Sequence, residues 1–342
     1  MDKKSFFLLI VILLTISACA PAPTPAPLPT TTNIPNPTAT PIPTPLPAPV
    51  GPLEFPANPE KGFKWPYFLY VPSKVSGNHL LVMPNNTGRF NDFSVIKQRT
   101  LEYMQGKLSW ADKLEVPLLV PVFPRFDDDS DGTIASQYLG RGSIEKSWQN
   151  KYPDIVHEDL QLIAMIDDAR ERLASLNVKV DEKIFIVGYS ASAMFTSRFS
   201  ILHPERIQAS VFGGHGWAIV PIDKWEKITL PYPYGTSDIE ELTGKPFNLE
   251  EFKKVAIFAY MGEADDNGWA LPWYIGDGQN IISYYSSFKN TFGSSAKELS
   301  DSANQIYQEL NCSATFTVYA NQNHQSAFTH DSEILKFFQE HK

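Results

Sequence analysis

Short apolar runs rich in β-branched and aromatic residues recur along the chain from residue 67 onward. They cover residues 67–71, 80–83, 118–122, 184–187, 209–212, 255–260 and 315–319. Several of these runs are continuously apolar, which is typical of strands that are covered on both faces of a sheet. The pattern therefore predicts a set of buried strands.

Helical patterns lie between these runs. The clearest covers residues 158–176, where apolar side chains recur at helical spacing, at Leu160, Ile163, Ala164, Ile166, Ala169 and Leu173. Further helices are predicted over 192–202 and 332–340. Alternation of strands with helices indicates the α/β class, with a mostly parallel sheet and helices on both faces. Residues 213–250 interrupt the alternation with aromatic and proline-rich sequence, either a lid over a site or an excursion packed by its own aromatic residues.

The first 18 residues have the pattern of a signal peptide. Lys3 and Lys4 precede an apolar run over residues 6–14, which is too short to span a bilayer that needs about 20 apolar residues. The run leads through small residues to Cys19. This order resembles the bacterial lipoprotein signal, in which the cysteine is lipidated and becomes the new N-terminus. An ordinary secretory cleavage site that contains Cys19 by chance is the alternative.

Proline dominates the next segment. Of the 28 prolines, 13 lie in residues 20–52, and no charged residue occurs between Lys4 and Glu54. This composition cannot bury a core and favours extended polyproline II. We expect residues 19–52 to form a linker that holds a single domain, residues 53–342, off a membrane. Glycosylation of the threonines or a partner-binding proline motif is the alternative role.

Charge and cysteine content narrow the possible partners. The net charge is −9 and no Lys/Arg cluster occurs, so the chain lacks the basic surface that nucleic-acid binding requires. Lipidation of Cys19 would leave Cys312 as the only thiol. We therefore expect no internal disulfide and a buried Cys312.

The motif with the most chemical content is Gly188-Tyr189-Ser190-Ala191-Ser192. It follows a predicted strand and opens a predicted helix, and this context gives a G-x-S pattern its meaning. A sharp strand–turn–helix raises the serine hydroxyl above the sheet. The motif therefore predicts Ser190 as a nucleophile, with Ser192 in place of the last glycine of G-x-S-x-G.

A serine nucleophile requires a general base and a group that orients the base. The run 255–260 leads to Asp265, and the run 315–319 leads to His324, so an acid and a histidine follow Ser190 in that order at the ends of later strands. We predict Asp265 as the acid and His324 as the base. Asp266 and Glu263 are the alternative acids.

Two backbone N–H groups are expected to bind the oxyanion. The N–H of Ala191 lies at the start of the predicted helix, where it can face a developing negative charge. The second donor should come from the loop after the strand over 80–83. There the N–H of Asn86 is the prediction and that of Asn85 the alternative.

Together these residues resemble the α/β-hydrolase superfamily over most of residues 65–342. The stretches 159–169, Gly188-Tyr189-Ser190-Ala191-Ser192 and 202–206 are similar to secreted bacterial hydrolases of the polyhydroxyalkanoate depolymerase and feruloyl esterase branch. The resemblance implies an eight-stranded sheet, acyl-ester hydrolysis and a triad of Ser190, Asp265 and His324. This chain lacks the His-Gly dipeptide that many such enzymes carry in the oxyanion loop.

Other patterns give weaker signals. Asp127, Asp129, Asp131 and Gly132 match the opening of a calcium loop, but position 138 is tyrosine where an EF-hand loop needs an acid. A solvated acidic loop is the preferred interpretation. No zinc-ligand spacing and no phosphate-binding glycine pattern occur, so we expect neither a metal nor a cofactor.

The sequence thus predicts a membrane-tethered, extracytoplasmic serine esterase that acts on a small-molecule or polymeric ester. An aromatic pocket would be formed by Trp217, Trp269, Trp273 and Tyr274 if they line the cleft, and it would favour aryl or medium acyl groups over strongly charged ones. A serine peptidase on the same fold is the nearest alternative. The alternative from another class is a surface lipoprotein that binds a ligand without catalysis.

Overall fold

A sheet of eight strands forms the centre of the protein. The computed structural model describes residues 48–88, 90–125, 136–144, 154–266, 280–325 and 329–342. All of them fall within one compact unit, Pro43–Lys342.

The strands of the described residues are β1 (Val50–Phe55), β2 (Tyr67–Val71), β3 (Leu81–Val82), β4 (Leu118–Pro121), β5 (Ile184–Tyr189), β6 (Ile207–Gly213), β7 (Lys224–Trp225), β8 (Ile228–Thr229), β9 (Ala256–Gly262) and β10 (Ala314–Tyr319). The large sheet has the order β1-β2-β4-β3-β5-β6-β9-β10, and β7 and β8 form a separate antiparallel pair. Strand β2 is antiparallel to both of its neighbours, and the remaining pairs are parallel.

Helices connect the parallel strands. In the described residues they are α1 (Phe93–Gln105), α2 (Leu108–Leu114), α3 (Arg141–Ile144), α4 (Glu158–Ser175), α5 (Ala191–Leu202), α6 (Ile239–Thr243), α7 (Leu249–Phe252), α8 (Asn280–Phe292), α9 (Ala296–Glu309) and α10 (Asp331–Glu340). None of these helices has the length and apolar character needed to cross a membrane.

The apolar strands separate two hydrophobic cores. Every residue of β5 is buried. Ile184 and Ile186 belong to the core on one face of the sheet, whereas Phe185 and Val187 belong to the core on the other face. Side chains alternate between the two faces along a strand, so a continuously apolar strand supplies both cores. The prediction of an α/β fold with a mostly parallel, eight-stranded sheet is confirmed.

Strand pairing begins earlier in the chain than the composition indicates. β1 begins at Val50, which pairs with Val71 of β2. The residues 50–52, which the proline content assigns to the linker, are therefore part of a strand. Pairing with a neighbouring strand decides this boundary, because an edge strand tolerates proline.

The aromatic segment over residues 213–250 packs against α8. The indole N–H of Trp217 donates to the carbonyl oxygen of Tyr234 (3.0 Å). The Trp217 ring also lies 4.8 Å from the ring of Phe288 and 4.9 Å from that of Phe292, measured between centroids. Trp217 is thus a core side chain held by a helix outside its own segment. Trp269, Trp273, Tyr274 and the acidic loop 127–132 lie outside the described residues.

The parallel strands β5, β6, β9 and β10 are consecutive in the sheet, and their carboxyl ends meet at one edge. In such sheets the segments that follow the strands form a crevice at that edge, where ligands bind. Ser190 directly follows β5, and Asp265 and His324 follow β9 and β10 within a few residues. The topology therefore brings the three predicted catalytic residues to the same edge.

Candidate active site

Ser190 occupies a sharp turn between β5 and α5. Its backbone has φ 59° and ψ −118°, a conformation that side-chain-bearing residues rarely adopt and that persists only where the surrounding structure enforces it. The N–H of Ser190 donates to the carbonyl oxygen of Gly213 at the end of β6 (2.8 Å). The turn thus has the geometry that the G-x-S pattern predicts.

The residues on either side of Ser190 fix this turn. A Cβ atom at Gly188 would lie 2.1 Å from the carbonyl oxygen of Ser192, so only glycine fits there. The hydroxyl of Ser192 accepts from the N–H of Tyr189 (3.0 Å) and donates to the carbonyl oxygen of the same residue (3.0 Å). The serine that replaces the last glycine of the motif therefore closes the turn by hydrogen bonds that glycine could not make.

Asp265 and His324 are in direct contact. The Oδ2 atom of Asp265 lies 2.8 Å from Nδ1 of His324, and the side chains are 1% and 18% exposed. The alternative acids, Asp266 and Glu263, are both exposed. With Nδ1–H donating to the carboxylate, Nε2 is the nitrogen that remains to accept a proton. Of the three acids considered, Asp265 is the one that the structure places against the histidine.

Backbone hydrogen bonds join the turn after β9 to the turn after β10. The N–H of Glu263 donates to the carbonyl oxygen of Tyr319 (2.9 Å), and that of Ala264 donates to the carbonyl oxygen of Gln322 (2.8 Å). A Cβ atom at Gly262 would lie 2.2 Å from the same Gln322 oxygen. The acid and the histidine are thus carried by two turns that approach too closely for any side chain at residue 262.

Tyr189 links the serine turn to the histidine turn. Its phenol donates a hydrogen bond to the backbone carbonyl of His324, and the two rings lie 5.0 Å apart between centroids. Burial and the negative charge of Asp265 raise the pKa of Tyr189, so the phenol keeps its proton at neutral pH. In the described part of the chain no hydrogen bond joins Ser190 Oγ to the His324 ring; in unliganded enzymes such bonds are often long and tighten when substrate binds.

The two residues predicted to supply oxyanion donors, Ala191 and Asn86, lie next to the Ser190 turn. The N–H of Ala191 is at the N-terminus of α5, where a helix has no acceptor of its own for it. The side-chain amide of Asn86 donates to the carbonyl oxygen of Tyr189 (3.0 Å), which holds the loop after β3 against the turn. Asn85 is buried, and its amide is bonded to the backbone N–H (3.0 Å) and carbonyl (2.9 Å) of Phe123. The side chain of Asn85 therefore has a structural role, whereas the side chain of Asn86 contacts the residue that precedes Ser190.

Three residues near this edge were not identified from the sequence. Tyr189 stands next to Ser190 but carries no pattern that marks it as a link to His324. His215 follows the end of β6, and the rule that found Asp265, a polar residue just past a buried strand, applies to it equally. Arg198 is the single charged residue of α5, and a lone charge in an otherwise apolar helix could have identified it.

Other predicted sites find no further support in the structure. No group of three or more metal-ligating side chains occurs among the residues that the structure describes. Cys19 lies outside those residues. Cys312 is a free, buried thiol, and burial raises its pKa to about 11.

Comparisons with known proteins bear on the fold. No protein-family model matches the chain, and a search of curated proteins finds no match. Among solved structures, poly(aspartic acid) hydrolase-1 from Sphingomonas sp. KT-1 is similar over 86% of this chain and 98% of its own, with 17% identity and a TM-score of 0.53. A poly(3-hydroxybutyrate) depolymerase from Bordetella parapertussis is similar over 81% and 82%, with 13% identity and a TM-score of 0.49. Together with the strand order, the first of these likenesses shows that the chain has the α/β-hydrolase fold.

Proposed function

We propose that the protein is a serine hydrolase that cleaves carboxylic esters through Ser190, His324 and Asp265. The observation that carries the proposal is the 2.8 Å contact between Asp265 Oδ2 and His324 Nδ1. These two residues lie in the turns after β9 and β10, at the same sheet edge as the Ser190 turn. An acid, a histidine and a strained serine turn at one sheet edge form the arrangement that activates a serine hydroxyl.

The reaction proceeds in two halves. In the first, Nε2 of His324 takes the hydroxyl proton as Ser190 Oγ attacks the acyl carbon, and the protonated imidazole then gives that proton to the departing alcohol. In the second, His324 takes a proton from water as the water attacks the acyl carbon of the acyl-enzyme. The protonated imidazole then gives that proton to Ser190 Oγ as the bond from Oγ to the acyl carbon breaks, which releases the carboxylic acid and restores the free serine. Asp265 orients the ring and stabilises its positive charge. The N–H groups of Ala191 and Asn86 bind the oxyanion in both halves.

The name of the structural neighbour is consistent with hydrolysis, although it does not point to an ester bond. Poly(aspartic acid) hydrolase-1 is, by its name, a hydrolase of a polymer. The fold itself hosts many activities, so the argument for ester hydrolysis rests on the arrangement of Ser190, His324 and Asp265. The substrate that we propose is a small-molecule or polymeric ester.

A fluorophosphonate probe tests the nucleophile. We expect the probe to label the wild-type protein and to fail on Ser190→Ala. Ser197→Ala is the matched control, because it removes a hydroxyl from the same helix that donates to the carbonyl oxygen of Met194 (3.1 Å) and lies outside the turn, and it should still be labelled. Absence of label on the wild type, or equal label on Ser190→Ala, would show that the protein is not a serine hydrolase of this kind and would favour a binding protein.

A substrate panel tests the bond that is cleaved. We expect p-nitrophenyl or feruloyl esters to be hydrolysed and peptide anilides to be left intact. Hydrolysis of the anilides at a comparable kcat/KM would assign the protein to the peptidases on this fold instead.

We further propose that the enzyme is held outside the cytoplasmic membrane by lipid on Cys19. The support is the sequence alone: a short apolar run, small residues before Cys19, and a charge-free proline-rich linker to residue 52. Cys19→Ala should move the protein from the membrane fraction to the soluble exported fraction. Unchanged retention of that variant in the membrane fraction would exclude lipid on Cys19 as the anchor.

A further inference from the structure

Helix α5, which begins directly after Ser190, buries one positive charge. Arg198 is 6% exposed, and its neighbours on the helix are apolar or small. Its Nη1 atom donates to the carbonyl oxygen of Tyr138 (2.8 Å). Among the residues that the structure describes, no carboxylate lies within ion-pair distance of this guanidinium. A buried cation without an anionic partner is strongly unfavourable and therefore rare.

The groups around Arg198 do not neutralise its charge. The phenols of Tyr232 and Tyr234 lie near Arg198 and would offset its charge if they were ionised. Burial raises the pKa of both phenols, so they are uncharged at neutral pH. In the described chain, therefore, neither these phenols nor a carboxylate at ion-pair distance offsets the charge of the guanidinium.

A second unpartnered polar side chain follows β6, the strand against which α5 packs. His215 is 7% exposed, and neither ring nitrogen has a hydrogen-bond partner. It follows β6 by two residues, and the last residue of that strand, Gly213, accepts the hydrogen bond from the N–H of Ser190 (2.8 Å). A buried polar group without a partner is an exception in folded proteins and calls for an explanation.

The imidazole of His215 is neutral. Burial, followed by the positive charge of Arg198, lowers the pKa of His215 to about 3, and the charge of Asp265 opposes this only in part. Both Arg198 and Asp265 are therefore near enough to act on the ring. A neutral imidazole offers one N–H donor, so His215 and Arg198 together present several donors and one net positive charge.

We propose that Arg198 and His215 form a buried subsite that binds a carboxylate carried by the ester substrate. This inference rests on the proposed function, because the ligand is part of the molecule that Ser190 attacks. A carboxylate accepts charge-assisted hydrogen bonds from a guanidinium and a further bond from an imidazole N–H. A bound water could satisfy His215, but it would leave the charge of Arg198 uncompensated.

The subsite makes the enzyme selective for esters that carry a negative charge. A hydrogen bond to a charged group contributes more free energy than a bond between neutral groups. One such bond corresponds to a preference of about tenfold or more in kcat/KM for the charged ester over the neutral one. The carboxylate can belong to the acyl group or to the alcohol. Two substrate pairs distinguish these sources: p-nitrophenyl hemisuccinate against p-nitrophenyl butyrate, and 4-acetoxybenzoate against phenyl acetate.

The experiment measures the ratio of kcat/KM within each pair. We expect the wild type to prefer the charged member of one pair by about tenfold or more. Arg198→Met keeps the length of the side chain and should bring that ratio close to one, whereas Arg198→Lys should keep part of it. Arg172→Met is the matched control, because Arg172 is paired with Asp168 (2.6 Å) and lies on another helix, and it should leave the ratio unchanged.

A binding measurement separates this inference from the proposed catalysis. In Ser190→Ala protein, methyl hemisuccinate should bind more tightly than methyl butyrate, and Arg198→Met should remove the difference.

If the Arg198 variants do not fold, His215→Phe takes their place in both assays. A wild type with no preference in either pair, or an Arg198→Met variant that keeps the preference, overturns the subsite. If Arg198→Met lowers kcat/KM for the charged and the neutral ester equally and also lowers thermal stability, Arg198 has only a structural role, as the donor to the carbonyl of Tyr138. Failure of Ser190 labelling would instead reject the proposed function.

Discussion

The phenol of Tyr189 donates a hydrogen bond to the backbone carbonyl of His324. The residue that precedes Ser190, the proposed nucleophile, thus holds the turn that carries His324, the proposed base. Its ring also lies against the His324 ring, 5.0 Å away between centroids. We therefore propose Tyr189 as a positioning residue, because it holds the serine turn against the histidine turn.

Removal of this hydroxyl should slow the reaction without weakening substrate binding. In Tyr189→Phe the ring contact remains and the hydrogen bond, worth about 0.5–1.5 kcal/mol, is lost. We expect kcat to fall about two- to tenfold and KM to stay the same. Steady-state kinetics on a neutral ester would measure both values.

Tyr307→Phe is the matched control for that variant. The phenol of Tyr307 is also buried and also donates to a backbone carbonyl, that of Ile219 (2.7 Å). Tyr307→Phe should lower thermal stability about as much as Tyr189→Phe does and should leave kcat unchanged. Equal losses of kcat in the two variants would show that the Tyr189 bond serves stability alone.

The positions of the proposed catalytic residues at one sheet edge could be predicted because the fold repeats one simple relation. Buried parallel strands are continuously apolar, and the polar residue that follows each strand lies at the same edge. This relation was sufficient to predict that Ser190, His324 and a turn with three acidic residues lie at that edge. The choice of Asp265 over Asp266 depends on which carboxylate turns inward, and only the structure shows that Asp265 is buried and Asp266 exposed.

Contacts between distant segments could not be predicted in this way. Nothing local to Tyr189 indicates that its phenol reaches residue 324. The start of β1 at Val50 depends on pairing with Val71 and runs against the proline-rich composition around it. Arg198 has no carboxylate partner among the described residues, and this depends on its surroundings, which include Tyr138 and Tyr232, far away in the chain. Sequence patterns predict which side chains are buried, but they do not predict which residues each buried side chain contacts.

Asp265→Asn should nearly abolish activity. The change keeps the shape of the side chain, but its amide can no longer hold the Nδ1–H tautomer of His324 or stabilise the imidazolium, and comparable changes cost about 10³- to 10⁴-fold in rate. Asp266→Asn is the neighbouring control and should keep near-normal kcat/KM, because Asp266 is exposed. The reverse pattern in ester kinetics would assign the acid to Asp266.

Gly262→Ala should separate the acid turn from the histidine turn. The new Cβ atom would lie 2.2 Å from the backbone oxygen of Gln322 and 3.1 Å from that of Asn323. Backbone atoms cannot yield as a flexible side chain can, so we expect a loss of roughly 1–3 kcal/mol in the free energy of unfolding and a fall in kcat.

The control for this variant is a glycine with room for a methyl group. At Gly106 the nearest atom to a new Cβ would be the Tyr103 carbonyl oxygen at 3.5 Å, an ordinary contact, and φ is −65°. Gly106→Ala should leave activity unchanged and stability equal or slightly higher. Denaturant unfolding and ester kinetics would compare the two variants, and a Gly262→Ala protein with wild-type activity would show that the turns can move apart without harm.

Glu158, at the start of α4, should make the protein less stable as the pH rises. The residue is completely buried. Burial, together with the negative charge of Asp159, raises the pKa of its carboxyl group to about 8. Between the ordinary glutamate pKa and this value, the folded protein keeps the proton and the unfolded chain loses it. The unfolded state then binds fewer protons, so the free energy of unfolding falls by up to about 1.4 kcal/mol per pH unit from this group.

Glu158→Gln removes the titration and keeps the shape of the side chain. The variant should therefore gain stability relative to the wild type as the pH rises from 5 to 8, and the difference in melting temperature between the two proteins should widen over that interval. Glu171→Gln, an exposed change on the same helix, should show no such trend. Thermal unfolding at several pH values would measure it, and a difference between Glu158→Gln and wild type that stays constant with pH would show that Glu158 is already charged in the folded protein.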